Sequence, residues 1–312
     1  MLKVGVIGAG AMGKNHIRIY SEMPGVELAG IADIDRELVE ELAQQYGTRA
    51  FTDYREMLAL GLDAVSIVVP TKMHRQVAIE AIEAKAHVLV EKPLADTVEN
   101  ADAIIKAAAA SNRLLMVGHI ERFNPAVIKL KEIIEEGLLG KIVSISTTRV
   151  GPYNPRIRDV GVILDIGVHD IDIISYLYGQ QVNQVYAVAG ADIHSFEDHA
   201  TIHMRLDHEF SGLVEVNWLT PHKVRKLTAV GVGGVAYLDY LDQTVELHDS
   251  GWVRKAKIEP REPLKNELEY FIDCIRTGTQ PQPCGTDGKH ALKVSLAAIN
   301  SYKEAKLIEI RE

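Results

Sequence analysis

Cysteine is nearly absent from this chain: Cys274 and Cys284 are the only two in 312 residues. Two thiols cannot staple a protein of this size, so a disulfide framework is excluded, and neither has companions at metal-ligating spacing. A reducing cytoplasm is the compartment this predicts. Also missing is any apolar run approaching the roughly 20 residues that span a bilayer. The first residues read as a strand, Leu2 to Ile7, and not as a secretory leader. Basic residues are in deficit, with 34 Lys and Arg against 43 Asp and Glu and a formal net charge of −9. That balance argues against a nucleic-acid surface, which needs concentrated positive charge. It still permits a small anionic ligand, because a few local arginines can hold a diphosphate. Internal repeats and low-complexity segments are lacking too. What remains is an ordinary globular composition, 47% hydrophobic and 25% charged.

The length predicts two domains. Residues 1–122 alternate apolar runs with helical patterns, the mark of a parallel sheet with crossover helices. Strands are expected at Lys3–Ile7, Glu27–Ala32, Ala64–Val68, His87–Val90 and Leu114–Val117, with helices at Glu37–Tyr46, Val77–Ala84 and Asn100–Ala110. Near-continuous apolar strands imply burial on both faces, as in a doubly wound α/β (Rossmann) fold. After Gly118 the pattern changes. A helix is expected over Pro125–Glu136, a strand over Lys141–Val150, a loop over Gly151–Asp159 and a helix over Leu164–Tyr178. Strand-type runs follow at Asn183–Ile193, Ala200–Trp218 and Lys226–His248, then helices at Leu264–Arg276 and Asp287–Lys306. Thr201, His203, Arg205 and Asp207 alternate with Ile202, Met204 and Leu206, giving a wet and a dry face. Residues 123–312 therefore read as an α+β domain with antiparallel strands, its terminal helices free to pack back on the first domain.

Three patches carry the chemistry. Gly8-Ala9-Gly10-Ala11-Met12-Gly13 stands between an apolar strand and a helix. Its glycines suit a tight turn, close backbone approach to a pyrophosphate, and tight helix–strand packing. Asp33 closes the next strand at the spacing of a ribose-binding acid, and its charge favours NAD over NADP. Arg36, just beyond it, tempers that preference, since an arginine there can serve a 2′-phosphate. The second patch is Glu91-Lys92-Pro93, which places a lysine beyond a strand end, where open α/β sheets bind ligands. Pro93 restricts Lys92 to extended backbone, and a cis bond between them would aim the side chain inward. An ammonium there would stabilise a developing alkoxide, although a surface pairing of Lys92 with Glu91 is the bland alternative. The third patch is Asp165-Ile166-Gly167-Val168-His169. On a helix the acid and the histidine share a face, so that His169 takes a hydroxyl proton and Asp165 orients it or holds substrate. The same pair could ligate zinc, but no third ligand accompanies it, and no metal is expected.

These patches in this order resemble the Gfo/Idh/MocA family along essentially the whole chain. The likeness includes Val69-Pro70-Thr71 with His74, and the closing helix with Ser295, Ala298 and Ser301. It implies a Rossmann domain followed by a domain built on a large open antiparallel sheet, whose face forms homodimers or homotetramers. It also implies oxidation or reduction of a secondary alcohol on a sugar or cyclitol, with Lys92 and His169 catalytic and Asp165 on the substrate. Pro70, Thr71, His74 and Glu91 would lie along the cofactor. The segment Gly118-His119-Ile120-Glu121-Arg122-Phe123-Asn124-Pro125 resembles the nucleotide-sugar branch, the UDP-N-acetylglucosamine 3-dehydrogenases in particular. Arg122, Arg156 and Arg158 would then meet a diphosphate, Tyr153, Asn154 and Phe123 would offer stacking and amide contacts for uracil or an N-acetyl group, and His119 and Asn124 would also bind substrate. Arg122 could instead tie the domains together. Free sugars, inositol or a UDP-aminouronate remain open as substrates. A non-catalytic NAD-binding regulator remains as a different class, though such a protein should lack one of Lys92, Asp165 and His169.

Overall fold

The protein is described by a computed structural model over residues 1–155, 160–206 and 210–310. It divides into two compact units, one of residues 1–120 with 262–289, the other of residues 121–261 with 290–312.

The first unit is built on a six-stranded parallel sheet. Its strands are β1 (Leu2–Ile7), β2 (Val26–Ala32), β3 (Ala50–Phe51), β4 (Ala64–Ile67), β5 (His87–Glu91) and β6 (Leu115–Gly118), in the spatial order β3-β2-β1-β4-β5-β6. Val4, Val6, Val65, Ile67, Val88 and Leu89 are fully buried, as strands covered on both faces must be. The helices include α1 (Ala11–Glu22), α2 (Arg36–Tyr46), α3 (Tyr54–Leu58), α4 (His74–Glu83) and α5 (Val98–Ala110). Chain order reverses between β1 and β4, so the switch point of the sheet lies at the glycine turn that follows β1. Two-residue β3 is too short to show as a periodic run.

The second unit carries a nine-stranded sheet. It starts with helix α6 (Pro125–Glu135), strand β7 (Ile142–Pro152) and helix α7 (Val168–Tyr178). Strands β8 (Val182–Gly190), β9 (His199–Leu206), β10 (Phe210–Asn217), β11 (Leu219–Gly231), β12 (Gly234–Asp239), β13 (Thr244–His248), β14 (Val253–Lys255) and β15 (Ile308–Glu309) complete it. The order is β14-β13-β12-β11-β7-β10-β9-β8-β15, antiparallel throughout except for the pair β7–β10. On β9, Ala200, Ile202, Met204 and Leu206 are buried while Thr201, His203 and Arg205 face out; Asp207 lies outside the described residues. The buried face packs Ile145, Val214, Val216, Leu227 and Ala229 against Val127, Leu130 and Ile133 of α6 and Ile171, Ile174 and Leu177 of α7. Each fully buried aliphatic side chain of this kind contributes about 1.5–3 kcal/mol.

Three departures from the sequence reading have physical causes. The Lys226–His248 run is cut into three strands by turns at Gly231–Gly234 and after Asp239, where the chain reverses without losing β-type residues. Residues 262–289 belong to the first unit: α8 (Pro263–Thr277) buries Leu268, Phe271 and Ile272 and packs on α1, Arg18 pairs with Glu262, and Cys284 bridges Met116 of β6. Glu121 and Arg122 fall in the second unit, where Arg149 and Asp172 hold them, two residues short of the expected boundary. Helix α9 (Gly285–Glu304) follows α8.

Candidate active site

In the first unit the glycine turn is shaped from within at two positions and left open at the third. Gly8 has φ +97°, and a Cβ there would stand 2.4 Å from the Val68 carbonyl oxygen. A Cβ on Gly13 would lie 1.9 Å from the Gly8 carbonyl oxygen. Gly10, by contrast, would meet nothing within 4 Å. The fold itself requires the outer two glycines, and the middle one keeps space clear. The N-terminus of α1, capped by Gly10, receives no side-chain cap, and its first turn has no acid. Helices α2, α3, α5 and α6 are capped by the side chains of Asp35, Asp53, Thr97 and Asn124. Uncapped N–H groups beside an open glycine are the features a pyrophosphate needs. Asp33 is fixed over the same turn, accepting from the Ala9 N–H at 2.6 Å and the Asp35 N–H at 3.0 Å. Its carboxylate keeps lone pairs for ribose hydroxyls. Exposed Arg36 reaches along its own helix to Glu40 at 3.9 Å. Ala11 is exposed and Met12 half-buried at the start of α1. The residues therefore fit a dinucleotide.

The lysine stands at the end of β5 in a tightly connected setting. The Lys92–Pro93 peptide is cis, and Lys92 is half-buried. Glu91 is buried beside it, facing His16 of α1 at 3.2 Å and accepting from the Lys92 N–H at 3.2 Å. Burial alone would push the Glu91 carboxyl up, but the hydrogen bond and charge of His16, with Lys92, hold it below its ordinary value. Gly118 leaves the room this carboxylate occupies, since a Cβ there would lie 3.0 Å from Glu91 Cδ. Glu91 thus ties the dinucleotide helix to the lysine strand. His74 makes a second tie. It is 1% exposed, with Nδ1 3.0 Å from the Pro93 carbonyl oxygen and Nε2 2.9 Å from that of Val69. Burial lowers its pKa against the pull of the two carbonyls. Pro70 is exposed and Thr71 half-buried in the single 3₁₀ turn between these contacts. His74 and Glu91 thus fix the backbone on either side of the Lys92–Pro93 peptide. His119 is buried just after β6.

In the second unit, Asp165 and His169 straddle the start of α7, and both are half-buried. The helix opens with a π turn, Ile163–Gly167, in place of the expected α-helical turn. Such wide turns occur often at functional sites. A methyl on Gly167 would meet nothing nearer than 3.7 Å, so this unit's own packing does not require glycine there. Glu197 packs its carboxylate beneath the turn, accepting from the Ile163 N–H; a Cβ on Gly161 would lie 2.1 Å from Glu197 Cδ. Burial raises the Glu197 pKa.

The segment expected to bind the nucleotide part of a substrate is largely committed to this unit's own structure. Arg122 is 8% exposed and forks onto Asp172 at 2.8 and 2.6 Å, which argues against the diphosphate contact expected of it. Phe123 is buried, and buried Asn124 caps α6 and donates to the Tyr240 carbonyl oxygen at 3.1 Å, so neither is presented for stacking or amide recognition. Tyr153 is half-buried, stacked on His194 at 3.8 Å and tilted on Trp218 at 5.2 Å, while Asn154 is exposed. Arg156 and Arg158 lie outside the described residues.

Beneath the turn runs a network that sequence reasoning missed. Arg149 of β7 is 2% exposed and donates to both Asp170 oxygens at 2.7 and 3.1 Å and to Glu121 at 2.6 Å. Burial opposes its charge, but Asp170 and Glu121 outweigh burial and hold the guanidinium well above its usual range. The available signal was an arginine at an inward position of an alternating strand. Among the described residues one acidic group, Asp192, Asp198 and His199, is close enough to surround a cation. The Asp198 carboxylate there already accepts from three backbone N–H groups and faces His199.

Comparison with known proteins gives matches to both units. The family model described as "Oxidoreductase family, NAD-binding Rossmann fold", GFO_IDH_MocA, matches residues 2–119, and the GFO/IDH/MocA C-terminal domain model matches residues 127–237. The chain is 30% identical over 308 residues to a UDP-N-acetylglucosamine 3-dehydrogenase of Acidithiobacillus ferrooxidans, covering 96% of this chain and 95% of that one. It is 27% identical to a myo-inositol 2-dehydrogenase of Thermotoga maritima, covering 100% of this chain and 99% of the relative. The solved Acidithiobacillus structure superposes with a TM-score of 0.90, covering 97% and 98% of the two chains. A levoglucosan dehydrogenase complexed with NADH and levoglucosan, 25% identical, gives 0.92 over the full length of both.

Proposed function

Given that the chain belongs to the Gfo/Idh/MocA family of NAD-binding oxidoreductases, we propose that it oxidises a secondary ring hydroxyl of a nucleotide sugar, UDP-N-acetylglucosamine at C3. The end-to-end similarity to the Acidithiobacillus 3-dehydrogenase carries this reading. Lys92, Asp165 and His169 are all present in the sequence, which favours an enzyme over a purely regulatory role.

NAD, when bound, supplies the hydride acceptor. The chain's own groups handle everything else. Asp33 and the uncapped start of α1 hold the adenine-side ribose and the pyrophosphate. His169 removes the hydroxyl proton, a task suited to an imidazole near neutral pH. The Lys92 ammonium stabilises the alkoxide as it forms and must stay protonated to do so. Asp165, one turn from His169, orients the imidazole or holds a neighbouring hydroxyl. The product is a 3-keto sugar nucleotide, a substrate for transamination. The cytoplasm is the proposed compartment, and the proposed assembly is a homodimer or homotetramer through the nine-stranded sheet.

A second reading keeps the chemistry but takes inositol or a free sugar. It draws support from the Thermotoga relative and from the engagement of Arg122 by Asp172. NADH formation with UDP-N-acetylglucosamine, N-acetylglucosamine and myo-inositol, each run alone, separates the two. Turnover confined to the nucleotide sugar supports the first reading, and turnover confined to the polyols removes it.

A further inference from the structure

Arg122 is turned onto Asp172, and Arg156 and Arg158 lie outside the described residues; among the described residues of the second unit, the geometry points to Arg225 as a donor for an anionic substrate. This deepens the proposed function, since it rests on a sugar being oxidised beside Asp165.

Arg225 lies on β11 directly across from Arg149 of β7. Cross-strand partners project to the same side, so its side chain shares the face on which Arg149 meets Asp170. The two arginines have opposite fates. Arg149 is saturated by carboxylates, whereas the Arg225 side chain is 33% exposed and donates no hydrogen bond to any described residue. Its nearest acidic oxygen, Glu121 Oε1, stands 3.8 Å away and already accepts from Arg149 at 2.6 Å. A guanidinium offers five donors in a rigid fork, and a partly buried one held only by a 3.8 Å ion pair is suited to a bidentate oxyanion. Asp165 is near enough for its charge to act on Arg225. Arg149, its partner across the strand pair, holds Asp170, the residue that follows His169, so the guanidinium shares the sheet face that carries the start of α7.

The strand is also shaped to present this residue. β11 pairs Leu219 with Pro152 and then Val224 with Val150, so that Thr220–Lys223 stand opposite Gly151 alone. Bulges of this kind re-aim the side chains that follow them and recur beside active sites. Asn217 fixes the start of the bulge, its side-chain oxygen accepting from the Leu219 and Thr220 N–H groups at 3.1 and 2.9 Å. Arg225 follows where regular pairing resumes. It binds a pair of anionic oxygens on the substrate, whether a phosphoryl group of a sugar nucleotide or the carboxylate of a uronic acid.

The test is calorimetric titration of the NAD-loaded enzyme and its Arg225→Gln and Arg225→Lys variants with UDP, glucuronate and myo-inositol. At least one anion should bind the wild type and lose about 10- to 100-fold in affinity in the Gln variant, the scale of one or two charge-assisted hydrogen bonds. The Lys variant should recover part of that loss. Myo-inositol affinity, NAD affinity and the melting temperature should not move. UDP sensitivity identifies a phosphoryl ligand and glucuronate sensitivity a carboxylate. Equal anion affinity in wild type and Gln variant, or no anion binding to the wild type, overturns the assignment. Failure to turn over UDP-N-acetylglucosamine would sink the substrate reading yet leave an Arg225-dependent anion intact, so the two failures are distinguishable.

Discussion

Buried between Asp170 and Glu121, the Arg149 guanidinium has its charge balanced only while both carboxylates remain. Asp170→Asn leaves that charge short of a partner, and calorimetry should show a loss of about 3–5 kcal/mol in unfolding free energy. An unchanged melting temperature would show the network to be dispensable. Asp198 is fully buried and accepts three backbone N–H groups. Burial would raise its pKa, but those N–H donors and His199 outweigh burial and depress it. A depressed folded-state carboxyl stabilises the protein above its unfolded pKa of roughly 3.9, and that contribution fades as pH falls toward the folded value. Asp198→Asn should therefore cost about 2 kcal/mol at neutral pH and flatten the acid limb of stability against pH. Lys92→Ala should lower turnover about 10²- to 10⁴-fold with NAD affinity nearly intact. Wild-type turnover in that variant would remove the lysine from the mechanism. At this scale the sequence offered candidate residues for the chemistry and hid those packed beneath them. Nothing in the spacing of Arg149, Glu121 and Asp170 announces that strand, turn and helix bring them together.

Among the elements, the glycine turn offers the sharpest contrast. Gly13→Ala drives a methyl into the Gly8 carbonyl and should destabilise the first unit, while Gly10→Ala meets no atom of the chain. The Gly10 variant should melt like the wild type yet bind NAD about tenfold or more weakly by fluorescence titration. Equal NAD affinity would move the pyrophosphate elsewhere. The turn was readable because its spacing expresses backbone geometry directly. The π turn before α7 was not, because Asp165 and His169 at four-residue spacing look alike in either helix type. Only packing, with Glu197 beneath Gly161, distinguishes them.

For the molecule as a whole, both sheet types were legible from apolar periodicity, continuous in the first unit and alternating in the second. The division of the chain was less so. Residues 262–289 complete the nucleotide unit through α8, which packs on α1, yet an amphipathic helix shows only that it has an apolar face and not what covers it. The very short strands β3, β14 and β15 fell below any periodic signal. Substrate identity was the least legible property of all, since the availability of a residue such as Arg225 follows from what its neighbours engage. The most direct test of the account is a turnover of UDP-N-acetylglucosamine carrying deuterium at C3, with the label followed by mass spectrometry. The wild type should give deuterated NADH and a 3-keto sugar nucleotide in equal amounts, and Lys92→Ala should give both about 10²- to 10⁴-fold more slowly. Deuterium retained on the sugar, with NADH unlabelled or absent, would contradict it.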